Sequence, residues 1–391
     1  MKILALNSGS SSIKYRLFDS SKNFELLKQG LADRIGQKSS SISHISENEH
    51  QQKKEIELPN YHTAMLALFS NVTDLNDIGA VGHRVVHGGE KFKAPTLINK
   101  EVLEEISKLA KFAPLHCQPN VIGIEVLQKL LPKIPHVAIF DTAAHANIDF
   151  KAFMYALPME YYVKYKIRKY GFHGINHCYV AHQSAHLIKR ELKKLKIITC
   201  HLGNGCSMSA FKNGKSIENS MGLTPLEGLV MGTRSGDLDP SIVVYLIEEL
   251  GLQPEQVTDL LNKKSGLLGL CGKSDMRDII ATAKSGEKPS QMAIEIFVYR
   301  IQKYIGAYIA VLNGVDAVVF TGGIGENSPY IRALITKKFS YLGVTIDSDE
   351  NEKNKPIFSA RNSPLFLMNI PANEEKVIAQ ETQQLLTQGS P

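Results

Sequence analysis

Short apolar runs along the chain end in turns of glycine and small polar residues, a pattern that predicts strands followed by tight loops. Residues 2–6 and 13–18 are two such runs around the polar turn Asn7–Ser12. Another run, 195–200, leads into the stretch His201-Leu-Gly-Asn-Gly-Cys-Ser-Met-Ser-Ala-Phe211. Glycine has no Cβ, so the two glycines beside Asn204 let backbone N–H groups approach a ligand. An ordinary hairpin with a glycine-rich turn explains the same stretch.

The remaining periodicity predicts alternating strands and helices. Prolines 114, 119 and 132 are expected to separate helices, and Asn176 is a candidate N-cap. Residues 37–58 are polar and predict an exposed loop or an edge hairpin, and 220–240 lack any period. A glycine-rich turn is expected after residue 320, followed by a helix that starts at Pro329. Strands are predicted at 79–86, 135–140, 315–320 and 365–370, and helices at 99–112, 120–131, 176–194, 240–250, 254–262, 290–312 and 373–386.

The two glycine/serine hairpins lie roughly 190 residues apart, which implies an internal duplication. The third glycine turn, near residue 321, belongs to the same pattern. A chain of 391 residues is long enough for two domains, each with its own core. Each half would supply one hairpin that grips phosphate, with a nucleotide held between them.

Composition narrows the class of protein. No apolar run approaches the ~18 residues of a membrane span, and the N-terminal run is too short for a signal peptide. Five cysteines, an odd number without a C-x-x-C pair, suit reduced thiols in the cytoplasm. The net charge of +6 is spread along the chain, which favours a small anionic substrate over nucleic acid.

The turn after the first strand carries hydroxyl, amide and ammonium groups that suit a phosphate. Ser8, Ser10, Ser12, Asn7 and Lys14 supply them. A solvated, serine-rich hairpin is the alternative. The sequence has no Walker motif and no G-x-G-x-x-G, which disfavours a P-loop protein and a dehydrogenase.

Three other charged residues stand at positions where catalytic groups often occur. Arg84 lies near a strand end beside a Gly-Gly turn and could clamp an anion, although most arginines are surface residues. Asp141 directly follows an apolar strand, where a catalytic carboxylate and a capping aspartate are both plausible. Arg234 stands among small residues in the long irregular segment.

Histidines recur at helical spacing, His173/His177 and His182/His186. Such pairs can bind zinc, but no H-E-x-x-H motif or third ligand accompanies them. Glycines on both sides of the first histidine instead indicate a side chain presented from a tight loop. Glu374, in the first turn of the last helix, is explained by the helix dipole alone.

Several motifs resemble those of the acetate kinase family, within the acetate and sugar kinase/Hsp70/actin superfamily. They occur in the family's order over essentially the whole chain. The motifs are Asn7-Ser-Gly-Ser-Ser-Ser-Ile-Lys14, His83-Arg-Val-Val-His-Gly-Gly-Glu-Lys-Phe92, Gly171-Phe-His-Gly174, His201-Leu-Gly-Asn-Gly205, Met231-Gly-Thr-Arg-Ser-Gly-Asp237, Thr321-Gly-Gly-Ile-Gly-Glu-Asn327 and Asn373-Glu-Glu375.

The resemblance implies a fold and a reaction. The fold is α/β, with two duplicated RNase-H-like domains and a nucleotide cleft between them. The first domain would comprise 1–145 plus 376–391, and the second, 146–375, would bind nucleotide and form a homodimer. The reaction would be ATP + acetate ⇌ ADP + acetyl phosphate with Mg²⁺, or with Mn²⁺ in its place, in the cytoplasm and without membrane or nucleic-acid partners.

The resemblance also implies residue roles. The catalytic set is Arg84, Asp141, His173 and Arg234, with Arg84 also holding the carboxylate. Val86, Leu115, Phe172 and Pro225 would form the acyl pocket, and Asn7 and Glu374 would place the metal. The nucleotide would contact Lys14, Ser10, Ser12, His201, Leu202, Gly203, Asn204, Gly205, Asp275, Met276, Arg277, Gly323, Ile324, Gly325, Glu326 and Asn327.

Three segments depart from the family pattern, namely Ala144–Asp149, Cys117-Gln118 and Ile175-Asn176. A propionate or butyrate kinase of the same fold therefore stays an alternative, because one methylene changes binding by only about 1–3 kcal/mol. A non-catalytic, nucleotide-gated binding protein is the alternative from another class.

Overall fold

The computed structural model describes residues 1–9, 11–46, 52–70, 77–110 and 114–388, with the backbone alone at 46, 52 and 114–116. Residue contacts divide the chain into two units, Met1–Ala146 with Asn373–Pro391, and Asn147–Ala372. The divisions therefore fall after residues 146 and 372, whereas the sequence predicts them after 145 and 375. The predicted Ser10 lies outside the described residues.

The sheet of the first unit combines an antiparallel part with a parallel part. In space its strands follow the order β5-β4-β3-β2-β1-β6-β8-β7. β6 and β8 run parallel to β1 and are buried along nearly their whole length, as strands covered on both faces usually are. The strands are β1 Lys2–Ser8, β2 Ser12–Asp19, β3 Glu25–Asp33, β4 Ser41–Ser46, β5 Gln52–Glu55, β6 Ile78–Val85, β7 Thr96–Leu97 and β8 His136–Phe140.

Four α-helices lie in the described part of this unit: α1 Tyr61–Phe69, α2 Lys100–Leu109, α3 Pro114–Leu130 and the C-terminal helix Glu374–Gln388. Asn99 caps α2 as its Oδ1 accepts from Val102 N at 2.8 Å. The prediction that Pro119 separates helices is wrong, because α3 begins at Pro114 and continues through it. One proline costs a single backbone hydrogen bond there, while Val126 and Leu127 of the same helix pack into the core.

The sheet of the second unit repeats the first in its connectivity. Its order is β11-β10-β9-β12-β13, in which β9, β10 and β11 are antiparallel and β12 and β13 run parallel to β9. The first unit has the same arrangement in β3-β2-β1-β6-β8. This correspondence supports the predicted duplication. The strands are β9 Ile197–Leu202, β10 Cys206–Lys212, β11 Lys215–Asn219, β12 Ala317–Thr321 and β13 Phe366–Asn369.

The longest helix of the second unit packs on this sheet. It is Lys288–Leu312, and it buries Phe297, Ile301 and Ile305 among other apolar side chains. Residues 220–239 contain no helix or strand, as predicted. The helices are α4 Phe150–Phe153, α5 Met159–Tyr165, α6 Gly174–Ile188, α7 Pro240–Glu248, α8 Pro254–Lys263, α9 Gly266–Cys271, α10 Met276–Lys284, α11 Lys288–Leu312, α12 Gly322–Asn327, α13 Pro329–Thr336 and α14 Ser348–Glu352.

Three local predictions in this unit are wrong. Asn176 is not an N-cap, because α6 already begins at Gly174 and buries the asparagine inside its first turn. The helix also ends at Ile188, where Lys189 adopts a left-handed conformation, rather than at residue 194. The glycine-rich stretch after β12 is the short helix α12 rather than a turn.

Among the described residues, no helix is both long enough and apolar enough to cross a membrane.

Glu381 makes the stability of the first unit depend on pH. Burial raises the pKa of this carboxyl, in the C-terminal helix, to about 7, whereas an unfolded glutamate titrates near about 4.3. Between these values the folded chain holds a proton that the unfolded chain has released, so the free energy of unfolding falls as pH rises. We expect Glu381→Gln to raise it by up to about 3 kcal/mol near pH 8 and to change little near pH 4.5.

Urea unfolding across this pH range measures the effect. Glu57→Gln, at an exposed position, is the control. Its free energy of unfolding should depend on pH as that of the wild type does. Parallel stability curves for Glu381→Gln and the wild type would contradict the prediction.

Candidate active site

Arg84 and Asp141 form a buried ion pair at one edge of the first sheet. β6 and β8 are parallel neighbours, so residues near their carboxyl ends meet at that edge. Arg84 Nη2 donates to Asp141 Oδ2 at 2.6 Å, and Nε lies 3.1 Å from both carboxylate oxygens. The side chain of Asp141 is fully buried and that of Arg84 is 13% exposed. The aspartate therefore holds an arginine and does not merely cap a turn.

Asn7 and Glu374 join this pair from two other segments of the same unit. Arg84 Nη1 donates to Asn7 Oδ1 at 2.9 Å, and Asn7 Nδ2 donates to Glu374 Oε2 at 3.1 Å. Arg84 Nε lies 4.0 Å from the same glutamate oxygen. The structure thus brings together four residues that the sequence singles out: Asn7, Arg84, Asp141 and Glu374.

Neighbouring carboxylates in this cluster have opposite pKa shifts. Burial raises the pKa of Glu374, and the charge of Arg84 only partly offsets it. Burial also acts on Glu375, but Lys14 and Arg16 outweigh it and lower the pKa of that carboxyl. Lys14 Nζ donates to Glu375 Oε2 at 3.0 Å, and Arg16 Nη1 lies 3.5 Å from that oxygen. The sequence pattern assigns no role to Glu375, which stands in the motif Asn373-Glu-Glu375, or to Arg16.

Glu374 offers a carboxylate of the kind that binds Mg²⁺ together with waters and substrate phosphates. The amide oxygen of Asn7 accepts from Arg84 in this arrangement, and its Nδ2 faces the glutamate. Within the described part of the chain, no three His, Cys, Asp or Glu side chains are grouped to hold a metal.

A buried asparagine fixes the backbone around this cluster. Asn120 Oδ1 accepts from Val86 N, and its Nδ2 donates to Ser8 O, both at 2.9 Å. Val86, predicted for the acyl pocket, is 3% exposed. Ser12 begins β2 and is partly buried. Leu115 lies in α3, and its side chain is not described.

The second unit carries the other predicted turn, between β9 and β10. Gly203 N donates to Gly205 O at 3.1 Å, and Asn204 at its tip is exposed. The irregular segment packs against this turn, as Gly232 N donates to Asn204 O at 3.0 Å. Leu202 is fully buried, so it contributes its backbone and not its side chain to any ligand.

Arg234 lies against this turn. A Cβ placed on Gly205 would stand 2.5 Å from Arg234 Nη2 and 3.5 Å from His173 Cε1, so glycine is required for this close approach. Arg234 Nη1 donates to the carbonyl of Pro225 at 2.5 Å. His173 and Arg234, both predicted to be catalytic, therefore lie together beside the turn 203–205.

His173 also stacks on His201. The ring centroids are 4.3 Å apart and the planes 23° from parallel. His173 has a left-handed backbone, with a φ of 55°, which is the presentation from a tight loop that its flanking glycines predict. Phe172 beside it is buried, and its backbone pairs with Asn219. Pro225 is buried as well.

The predicted nucleoside residues lie in two places of the second unit. Asp275 caps α10, accepting from Arg277 N at 2.9 Å, and also forms an ion pair with the exposed Arg277 side chain. Met276 is buried. The other place is the first turn of α12, at Gly323. A Cβ on this glycine would meet nothing within 4 Å, so the start of the helix is open to a ligand. Ile324, Gly325, Glu326 and Asn327 continue this helix.

A fully buried arginine holds the far end of α12. Arg332 donates from Nη1 to the carbonyls of Gly325 and Glu326 at 2.8 and 2.9 Å. Asn351 and Asn354 accept its other N–H groups at 2.7 to 2.8 Å. Burial lowers the pKa of this guanidinium to about 10. No sequence pattern points to Arg332, because its partners lie in α12 and α14.

Kinases of known sequence and structure match the chain along its whole length. The sequence profile of the acetokinase family matches residues 2–380. The acetate kinase of Pseudothermotoga lettingae is 48% identical over 401 residues, which covers 100% of this chain and 98% of that protein. A propionate kinase structure from Francisella tularensis aligns with a TM-score of 0.92 at 44% identity, covering 98% and 99% of the two chains. The acetate kinase structure of Porphyromonas gingivalis aligns at 0.89 and 39%, with the same coverage.

Two duplicated α/β units, matched from end to end by kinases, define the class of protein as a phosphotransferase with the actin/Hsp70-like fold. The fold class predicted from the sequence is confirmed. The chain belongs to the acetokinase family.

Arg332 offers a stability prediction. Arg332→Met removes the guanidinium donor from the carbonyl of Gly325 and from Asn351 Oδ1, and leaves the carbonyl of Glu326 with Asn369 Nδ2 alone. A buried acceptor that loses its donor is costly. We expect the free energy of unfolding to fall by about 3 kcal/mol or more. Urea unfolding measures it, with the exposed Arg361→Met as control. Equal stability of the two variants would contradict the role of Arg332.

Proposed function

We propose that the protein transfers the γ-phosphoryl group of ATP reversibly to acetate, giving ADP and acetyl phosphate. The observation that carries this proposal is the hydrogen-bonded cluster of Arg84, Asp141, Asn7 and Glu374. It gathers a carboxylate-binding cation and metal-binding oxygens within one unit. Full-length similarity to acetate kinases supports the same reaction.

Arg84 would bind the carboxylate of acetate. A guanidinium has five N–H donors. Within the described structure, the contacts of Arg84 to Asp141 and Asn7 engage three of them. Two donors then remain for a carboxylate, the geometry in which arginine binds such groups. Acetate is already a competent nucleophile, so Asp141 is needed to orient Arg84 and the attacking oxygen more than to remove a proton.

The phosphates would be bound by cations and by backbone N–H groups. Phosphoryl transfer spreads negative charge over three equatorial oxygens, so catalysis rests on alignment and charge neutralisation. In the second unit, Arg234 and His173 lie beside the turn 203–205 and suit that task. Lys14 supplies a further ammonium in the first unit, where it contacts Glu375.

Asn7 and Glu374 would hold Mg²⁺, with Mn²⁺ as a substitute. A bound Mg²⁺ supplies charge neutralisation at the β- and γ-phosphate oxygens. The start of α12 and the segment 275–277 would bind the nucleoside, because Gly323 leaves space for it and Asp275 anchors the second segment.

The acid itself has a second candidate, propionate. The Francisella tularensis structure at a TM-score of 0.92 is that of a propionate kinase, and the acyl pocket carries the departures Cys117-Gln118 and Ile175-Asn176. Val86, with its small buried side chain, favours acetate. A nucleotide-gated binding protein would need neither Arg84 nor Asp141 in this arrangement.

We also propose a cytoplasmic homodimer that assembles through the second unit. All five cysteines lie in the described chain as free thiols, and burial raises the pKa of Cys117 and Cys206 to about 12. Reduced, unreactive thiols of this kind suit the cytoplasm. The α7 helix buries none of its side chains in the described unit, although it is mostly apolar. Its exposed large apolar residues are Ile242, Val244, Tyr245 and Ile247. An exposed apolar helix suits an interface between two copies.

The activity is tested by acyl phosphate formation from ATP, Mg²⁺ and acetate, propionate or butyrate, trapped with hydroxylamine. We expect turnover to be fastest with acetate. We further expect Arg234→Ala to lower kcat on the order of 10³-fold, by analogy with arginine fingers. The exposed Arg190→Ala, which loses only an ion pair to Asp316, is the control.

Faster turnover with propionate would keep the mechanism and change the substrate. Bound ATP without acid-dependent turnover would instead identify a nucleotide-gated binding protein. Near-normal turnover of Arg234→Ala would remove that residue from the catalytic set.

The dimer is tested by light scattering after size-exclusion chromatography. We expect Tyr245→Glu to convert the dimer to monomers, because an interface core does not accommodate an unpaired carboxylate. Tyr341→Glu, at an exposed position away from α7, is the control and should stay dimeric. A monomeric wild type, or a dimeric Tyr245→Glu, would contradict the interface.

A further inference from the structure

A chain of hydrogen bonds runs from His173 into the core of the second unit. His173 Nδ1 lies 2.8 Å from Ser207 Oγ, and that hydroxyl lies 2.7 Å from His177 Nε2. His177 Nδ1 lies 2.7 Å from Thr199 Oγ1, whose hydroxyl faces the Ser209 carbonyl at 3.4 Å. Ser207, His177 and Thr199 are fully buried. We call these four side chains the relay.

One proton on Ser207 couples the two histidines. A hydroxyl has a single hydrogen, so Ser207 donates to one ring and accepts from the other. If His173 donates from Nδ1, Ser207 must donate to His177 Nε2, and His177 must then carry its proton on Nδ1. Thr199 accepts that proton's hydrogen bond and can turn its own hydroxyl to the Ser209 carbonyl. In the opposite direction Thr199 donates to His177 Nδ1, His177 Nε2 donates to Ser207, and Ser207 donates to His173 Nδ1. His173 then carries its proton on Nε2 alone.

A charged His173 permits only one of these directions. An imidazolium donates from both nitrogens, so Nδ1 must donate to Ser207. The relay can meet this demand because it ends at a carbonyl, which only accepts. The buried chain therefore favours the form in which Nδ1 keeps its proton and Nε2 gains or loses the one that changes the charge.

The groups around His173 explain why such support matters. His201 stacks on it at 4.3 Å, and Arg234 lies beside the same turn at Gly205. Both disfavour a further positive charge. Asn176 Nδ2 lies 2.7 Å from His201 Nδ1, so in this arrangement the amide donates and His201 Nδ1 accepts.

We propose that Ser207, supported by His177 and Thr199, is a positioning residue that fixes the Nδ1 proton of His173 and so makes Nε2 the atom that meets the phosphoryl group. The inference rests on the proposed function for the role of His173 in catalysis. The tautomer itself does not depend on that function.

Nitrogen-15 NMR of the histidine rings tests the tautomer directly. In the neutral wild-type protein we expect His173 to carry its proton on Nδ1, the signal being assigned by its absence in His173→Gln. In Ser207→Ala we expect the proton to move to Nε2, because Nδ1 has lost its acceptor. Thr199→Val, which keeps the shape of the side chain and removes its hydroxyl, should shift the population in the same direction.

Kinetics test the consequence. Without the serine acceptor the charged form of His173 is disfavoured, so its pKa falls and the alkaline limb of the kcat profile moves to lower pH. We expect kcat of Ser207→Ala to fall roughly 10- to 100-fold near pH 8, with little change in KM for ATP. Ser209→Ala is the matched control, a buried serine of the same strand whose hydroxyl bonds Ser216 and the carbonyl of Glu218 instead.

The outcomes separate the relay from the function. A wild-type tautomer and pH profile in Ser207→Ala would overturn the relay. An equal loss in Ser209→Ala would reduce Ser207 to a structural role and overturn it too. If His173→Gln keeps full kcat while the tautomer moves as expected, the relay stands and the catalytic role of His173 fails.

Discussion

The first unit is organised around the burial of one positive charge. Arg84 is mostly withdrawn from water, and an unpaired ion in such a place costs several kcal/mol. Asp141, Asn7 and Glu374 come from three distant parts of the chain to neutralise or bond it. Asp141 is fully buried, and Asn7 and Glu374 each face the guanidinium with one oxygen. These contacts fix the orientation of the Arg84 guanidinium and leave it N–H donors for a substrate. The need to satisfy the buried charge and the ability to bind a carboxylate thus have the same cause.

Strand order explains why these residues meet. β1, β6 and β8 are neighbouring parallel strands, and Asn7, Arg84 and Asp141 stand at or just beyond their carboxyl ends. The second unit repeats this pattern with β9, β12 and β13. His201 and Thr321 end the first two strands, and both lie within reach of Asn176. Duplication therefore produced two polar sheet edges, one acidic and cationic, the other rich in imidazole and hydroxyl groups.

The sequence predicts the parts of this structure that depend on neighbouring residues. Both hairpins, and the later strands β6, β8, β12 and β13, follow from apolar runs and from turn residues that are neighbours along the chain. Helix limits were less predictable. α6 starts two residues before Asn176 because His173 turns left-handed in a tertiary contact, and α3 tolerates Pro119 because its apolar face is buried. Glu375, Arg332 and Ser207 carried no signal, since their partners lie in other segments and no periodicity reports a partner.

The stacked rings of His173 and His201 show what a residue such as Ser207, which no sequence pattern indicates, contributes to the site. Two unit charges 4.3 Å apart repel by about 4 kcal/mol at an effective dielectric constant near 20. Arg234 adds to this repulsion, so the second unit cannot hold every cation of its site charged in the absence of an anion. The buried hydrogen bonds of Asn176 to His201 and of Ser207 to His173 give the two rings different partners at their Nδ1 atoms. With the proposed function, a charge that His173 gains as phosphate oxygens approach would stabilise them more strongly in the complex than the free enzyme could sustain.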